Sequence, residues 1–336
     1  MKELERKPID IKRERGGTSE IGSDEDGAIL EMYNLDGRTV VIKEKSLYEF
    51  FLADKIDPNR TNINLPGSIQ KLIINEGSES ELVSATFLTA KTLFQSQYFK
   101  GIDTGKAVKL SLDLLIELNA LQKEVNDYLA KEKEVSEAYE DRRNKNYSFA
   151  VPAIGNAETR CTTIFQKADR SEQILIEIIM LFHAADGIKI QSHFADFHVA
   201  LKNKYGESDP FYTFIGKTLD FMNIVRELRN CLDHRLPFVK VTDFELRPDS
   251  SILSPTIELN FRKTKLERHS LSSFLTVLLP NFIMISELTF AQLAVKNSTP
   301  FILPVVVKEI PEETRRFKFM KFAFWSNFGG SGWYHQ

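Results

Sequence analysis

Cysteine is scarce in this 336-residue chain, which holds only Cys161 and Cys231. Two thiols so far apart supply neither a disulfide framework nor a thiolate metal site, and they suit a reducing compartment. Tryptophan is as rare, with 2 residues against 25 Phe, so the abundant phenylalanine reads as core filler. An excess of positive charge is missing too: 44 Lys and Arg face 47 Asp and Glu, for a net charge of −3. Proteins that coat or store nucleic acid depend on phosphate neutralisation, so the charge argues against that role and any RNA contact is expected to be local and transient. The chain also lacks the apolar run of ~20 residues that a bilayer demands. Its charged start, MKELERKPIDIKRERGG, has no apolar h-region. It therefore reads as a cytoplasmic protein with no secretory signal and no membrane partner. The most apolar stretch, 274–295, is interrupted by Pro280, Asn281, Ser286 and Glu287 and is expected to be a buried helix.

The length allows one large or two ordinary domains. Residues 1–27, polar and closing on GSDEDG, are expected to form a mobile tail. AILEMY and RTVVIK flank NLDG at 34–37, a hairpin pattern with Asp-Gly in the tight turn. Ser46 is placed to cap a short aromatic helix in SLYEFFLADKI, QKLIIN reads as a strand, and ELVSATFLTAKTLFQSQYF has helical spacing. Residues 28–100 thus read as a small α+β unit.

Beyond Lys106 the pattern turns helical, with segments at about 106–144, 159–184 and 192–204. A fourth opens at Asp209-Pro210 and runs to about 235, where Pro237 stops it. FVKVTDFEL and TIELNFRK are β-like, and a last helix covers about 266–295. Segment 298–336 holds one strand-like run and an aromatic, Gly-rich end. There, the Lys/Phe alternation of RRFKFMKFAFW suits a sheet edge packed on the core better than a base-stacking surface. The fold class expected is α+β, mainly α: a helical bundle over 106–297 with an inserted β-hairpin, preceded by the small N-terminal unit.

The fourth helix, FYTFIGKTLDFMNIVRELRNCLDHRLP, carries the clearest chemical pattern. With Val225 at the centre of its apolar face, Phe214, Thr218, Phe221, Leu228 and Leu232 fall within about 60° of it, and Arg229 about 40° away. An arginine keeps its charge, so inside an apolar stripe it needs a carboxylate, a phosphate or a route to solvent. Asp233, one turn on, offers a carboxylate. His234 faces roughly the opposite way, Asn230 lies one turn before it within reach of its ring, and Arg226 extends that stripe another turn back. Elsewhere, His193 and His198 (with His183 nearby) stand at i, i+5, which does not place both rings on one face. They read as helix-surface histidines, and no metal is expected. GGSG at 329–332 lacks the lysine and the strand-helix setting of a phosphate loop.

The run Arg229-Asn230-Cys231-Leu232-Asp233-His234 resembles the R-N-x-x-x-H form of the HEPN motif. Its place near the end of a long helix, before a β-hairpin and another long helix, is similar to that family over about 106–297. The resemblance implies a helical bundle that forms a homodimer, joining two copies of the motif at a cleft. It implies RNA cleavage without metal or other cofactor, in which the 2′-hydroxyl attacks the neighbouring phosphate and leaves a 2′,3′-cyclic end. On this chain His234 would be the general acid or base, Arg229 would hold the scissile phosphate, and Asn230 would orient the histidine. Arg226 and Asp233 would face the substrate. Glu158, Arg160 and Arg170 stand unranked as the helper group that the family often carries on an earlier helix. Arg229 and His234 lie about 140° apart on an ideal helix, which favours a site assembled from two helices. A bacterial defence or toxin setting, with a protein inhibitor or other partner, is the context implied. Two other readings stay open: a catalytically silent HEPN scaffold working by dimerisation or partner binding, and an unrelated α+β binding protein.

Overall fold

The chain begins with α1 (Pro8–Glu14), followed by a meander of β1 (Ile29–Leu35), β2 (Arg38–Lys43), β3 (Leu47–Leu52) and β4 (Ser68–Ile74). The four strands form one antiparallel sheet in that order, with Asp36 and Gly37 at positive φ in the first turn. A helical stretch follows: α2 (Glu81–Val83), a π-helical turn (Ser84–Leu88) and α3 (Thr89–Leu93). Four long helices come next: α4 (Thr104–Arg143), α5 (Ala157–Phe182), α6 (Phe194–Tyr205) and α7 (Pro210–Asp233). Strands β5 (Val239–Thr242), β6 (Glu245–Leu246), β7 (Ile252–Leu253), β8 (Thr256–Phe261) and β9 (Thr264–Ser270) then lead into α8 (Leu271–Asn297). The chain closes with β10 (Val305–Glu309), β11 (Phe322–Phe328) and β12 (Ser331–His335). This computed structural model describes residues 7–14, 20–143, 151–189, 191–299, 305–328 and 331–336. At 53% helix and 20% strand the fold is α+β and mainly α.

Four local expectations give way to pairing. Residues 8–14 and 20–27 are not a loose tail. Arg13 is buried, with its guanidinium 2.7 Å from Asp57 and also donating to the carbonyls of Asn62 and Pro66. Lys43 likewise donates to the carbonyls of Ile21 and Ser23. Arg13, which looks solvated in the sequence, has its partners waiting in the loop after β3, and Lys43 of β2 has its own in the segment before β1. The aromatic run after Ser46 is strand β3 rather than a helix, because Leu47 to Leu52 pairs with β2 on one side and β4 on the other, and aromatic side chains suit a pleated surface. The last helix starts at Leu271, since Thr264–Ser270 is held as a strand by β8, and Ser270 caps it by accepting from the Ser273 N–H. The Lys/Phe alternation ends in β11, which is the central strand between β10 and β12 and not a sheet edge.

The phenylalanines join these parts. Phe94, at the end of α3, sits 4.7 Å from the Phe182 ring and 5.4 Å from that of Phe290. Phe99 touches Phe182 and Phe324, and Tyr98 lies 4.0 Å from Phe324. One apolar core thus runs from Leu35 and Ile42 of the first sheet through α4, α5, α7 and α8 to Phe324 of β11. The boundaries at 100 and 297 expected from sequence are not seams in this core. Helix α8 has the length and apolar character to cross a membrane, yet 61% of its most apolar window is buried in the fold, and it continues through Pro280. It is the core helix on which α3 and α4 pack.

Candidate functional site

Helix α7 is set by its ends. Asp209 caps the start, accepting from the Tyr212 N–H at 2.9 Å, and Pro210 takes the first position, where its missing N–H costs nothing. Val225, Leu228 and Leu232 are buried as the sequence pattern requires. At the far end His234 is the cap and Arg235 follows in the left-handed region at φ 51°. The Leu236 N–H bonds the Cys231 carbonyl at 2.8 Å and the Arg235 N–H that of Leu232 at 3.2 Å. This paired closure normally takes glycine where Arg235 stands. Arg235→Gly is therefore expected to raise stability by about 0.5–1 kcal/mol. Chemical denaturation checks this; an unchanged or lower midpoint would show that the arginine side chain earns its place by packing.

Arg229 finds its carboxylates within the chain. Its Nε lies 2.9 Å from Asp233 Oδ2 and 3.5 Å from Asp169 Oδ2. Neither approach follows the N–H direction, so these are ion pairs rather than hydrogen bonds. The side chain stays 36% exposed, which leaves its outer nitrogens open to a ligand. Asp233 is fixed in turn by Gln166 of α5, which donates to Oδ1 at 2.7 Å. The expected bond from Asn230 to His234 is replaced: the Asn230 amide donates to Glu227 at 3.4 Å, and Arg226 pairs with the same carboxylate at 3.0 Å. Glu227 is 2% exposed and also faces Arg262 of the β8–β9 turn at 3.6 Å. Two members of the expected polar ridge are thus turned toward a buried acid, and His234 alone remains exposed at the helix end.

Among the described residues none of the three helper candidates pairs with Arg229, although Glu158 lines the groove beside the end of α7. Arg170 reaches along α5 toward Gln173 and Glu177, Glu158 is exposed, and Arg160 is half-buried near the helix start. The group that meets Arg229 is Asp169. It belongs to a polar centre between α5, α6 and α7 made by Asp169, Glu172 and His193. Asp169 Oδ2 accepts from Gln173 at 2.7 Å, and Glu172 Oε1 accepts from the Phe194 N–H at 3.0 Å, which ties the first turn of α6 to α5. Burial pushes the Glu172 carboxyl up to about 8. Burial, with Arg226 nearby, pushes His193 below the usual imidazole range. A signal for this centre exists in the sequence: Phe165, Ala168, Glu172, Leu175 and Ile179 step by three and four, so Glu172 occupies a core position of α5.

Of these histidines, His183 and His193 are not helix-surface residues, whereas His198 is half-exposed on α6. His193 caps α6 beside Glu172, at 3.9 Å. His183 is fully buried against Asp186 at 2.6 Å, and His198 stacks on Tyr212 at 4.1 Å.

Beside the end of α7 lies a polar groove of about 600 Å³. Glu158, Thr159, Thr162, Thr163 and Gln166 of α5 form one wall, and Leu232, Asp233 and Arg235, the neighbours of His234, form the other, so two carboxylates line it beside the one guanidinium. Hydroxyl, amide and guanidinium groups along such a groove can hydrogen-bond sugar and phosphate oxygens, while His234 can move a proton at its edge. Comparisons with protein-family models, with curated proteins and with solved structures give no match to this chain.

Proposed function

We propose that the chain is a HEPN-type endoribonuclease whose reactive site is completed when two copies bring their α7 ends together. The observation that carries this reading is the pairing of an exposed imidazole with an anchored, half-open guanidinium. His234 stands free at the helix end beside the groove, and Arg229 is held one turn back by Asp169 and Asp233 with part of its side chain still accessible. In this chemistry the ribose 2′-oxygen bonds to the adjacent phosphorus and the bond to the 5′-oxygen breaks. The products are a 2′,3′-cyclic phosphate and a 5′-hydroxyl. His234 takes the proton from the 2′-hydroxyl or gives one to the departing oxygen. Arg229 offsets the charge that gathers on the phosphoryl oxygens. Asn230, spent on Glu227, is left with positioning the helix end.

A silent scaffold is the second reading, and one observation favours it: two carboxylates already offset the charge of Arg229, as they would in a helix pair that binds no phosphate. Incubation of the purified chain with mixed RNA in excess EDTA separates the two. The endoribonuclease reading expects cleavage with cyclic phosphate and 5′-hydroxyl ends. Products with 3′-hydroxyl ends would contradict the 2′-attack. Intact RNA in the presence of a folded dimer would transfer the assignment to the scaffold, and intact RNA with a monomer would remove both.

A further inference from the structure

The polar centre on α5 has more acceptors than its neighbours can satisfy. Asp169 and Glu172 are 3% and 1% exposed, and each keeps a buried oxygen without a hydrogen-bond partner among the described residues, Oδ1 and Oε2 respectively. His193 Nδ1 is also buried and unpartnered. Each of the three side chains offers one ligand atom within 4.8 Å of the other two. Buried polar atoms left unpaired in a native structure call for an explanation such as a bound ion or water. Here three of them sit on the side chains of one cluster, and all can present a lone pair: two carboxylate oxygens and an imidazole nitrogen. In the metal-free chain the proton that burial holds on Glu172 and a water molecule share these acceptors, and metal binding displaces that proton. A divalent cation meets all of them at once.

We propose that Asp169, Glu172 and His193 bind one divalent cation of the Zn²⁺ or Mn²⁺ class. Two carboxylates with one imidazole suit these ions, whereas Mg²⁺ prefers an all-oxygen set. The nearby guanidinium charges are already offset, that of Arg229 by Asp169 and Asp233 and that of Arg226 by Glu227. The His193 side chain is 27% exposed, which gives the ion a route in and room for a water ligand. The ion would clamp the start of α6 onto α5 and hold Asp169 with its other oxygen toward Arg229. It takes no step in RNA cleavage, and the site stands whether or not the chain cuts RNA.

The test uses the full chain stripped with EDTA, desalted, and dialysed separately against Zn²⁺, Mn²⁺ and Mg²⁺, with bound metal counted by elemental analysis and thermal unfolding followed in parallel. One Zn²⁺ or Mn²⁺ per chain is expected, together with a raised Tm, and no retained Mg²⁺. Glu172→Gln keeps the shape of the side chain and should lose the ion. His193→Ala, at a more accessible position, should lose it as well with the fold preserved by circular dichroism. A folded wild-type chain that retains no stoichiometric ion would overturn the proposal. So would undiminished binding in both variants, which would place the ion elsewhere.

Discussion

Alanine in place of His234 is expected to slow RNA cleavage by about 10²–10⁴-fold, the usual contribution of a positioned acid or base. The same change should leave stability within about 0.5 kcal/mol of wild type, because the side chain is exposed and has no hydrogen bond or ion pair among the described residues. Arg229→Ala should behave differently. Its loss of rate, about 10²–10³-fold, comes with a loss of stability, because Asp169 is buried and would lose the charge beside it. That cost is about 1–3 kcal/mol, toward the lower end because the guanidinium is partly screened by solvent. Rates compared at equal folded fraction, with denaturation curves for both variants, check the pair. A His234→Ala protein that cuts RNA at the wild-type rate would take the histidine out of the chemistry.

Phe94→Ala is expected to destabilise the whole molecule by about 3–5 kcal/mol, a large share of the 5–15 kcal/mol that holds a typical domain. Phe94 is 2% exposed and meets Phe99, Phe182 and Phe290, so its removal opens a cavity where the N-terminal part, α5 and α8 join. Since one apolar core spans these parts, the variant should still unfold in a single transition, shifted to lower denaturant by every probe. Two transitions, with only the first moved, would mean that the segment before residue 100 folds as a unit of its own.

The long helices were legible because their apolar residues recur at helical spacing over many turns, and α7 shows it best: Asp209-Pro210 marks its start and Val225, Leu228 and Leu232 its buried face. The first hairpin was legible from Asp36-Gly37. What escaped was decided by partners distant in sequence. Leu47 to Leu52 is a strand because β2 and β4 flank it, and Thr264–Ser270 because β8 lies beside it; neither fact is written in the segment itself. Arg13 looked solvated because Asp57 was not yet beside it. At the site, the sequence exposed the Arg229 problem and one of its answers, Asp233, since i, i+4 geometry is local. Asp169 comes from another helix and could be suspected only from acids placed among core positions of α5. Asn230 went to Glu227 because the β8–β9 turn buries that face of α7, which spacing along a single helix does not show.

Mixing two inactive variants tests most directly the proposal that the site is shared between two copies. Arg229→Ala and His234→Ala chains, allowed to exchange subunits, form mixed dimers in which one site keeps Arg229 from one copy and His234 from the other. Recovery of up to about a quarter of the wild-type cleavage rate is expected, since random pairing makes half the dimers mixed and each holds one intact site of two. Mixed dimers that form and remain inactive would contradict a site shared between two copies.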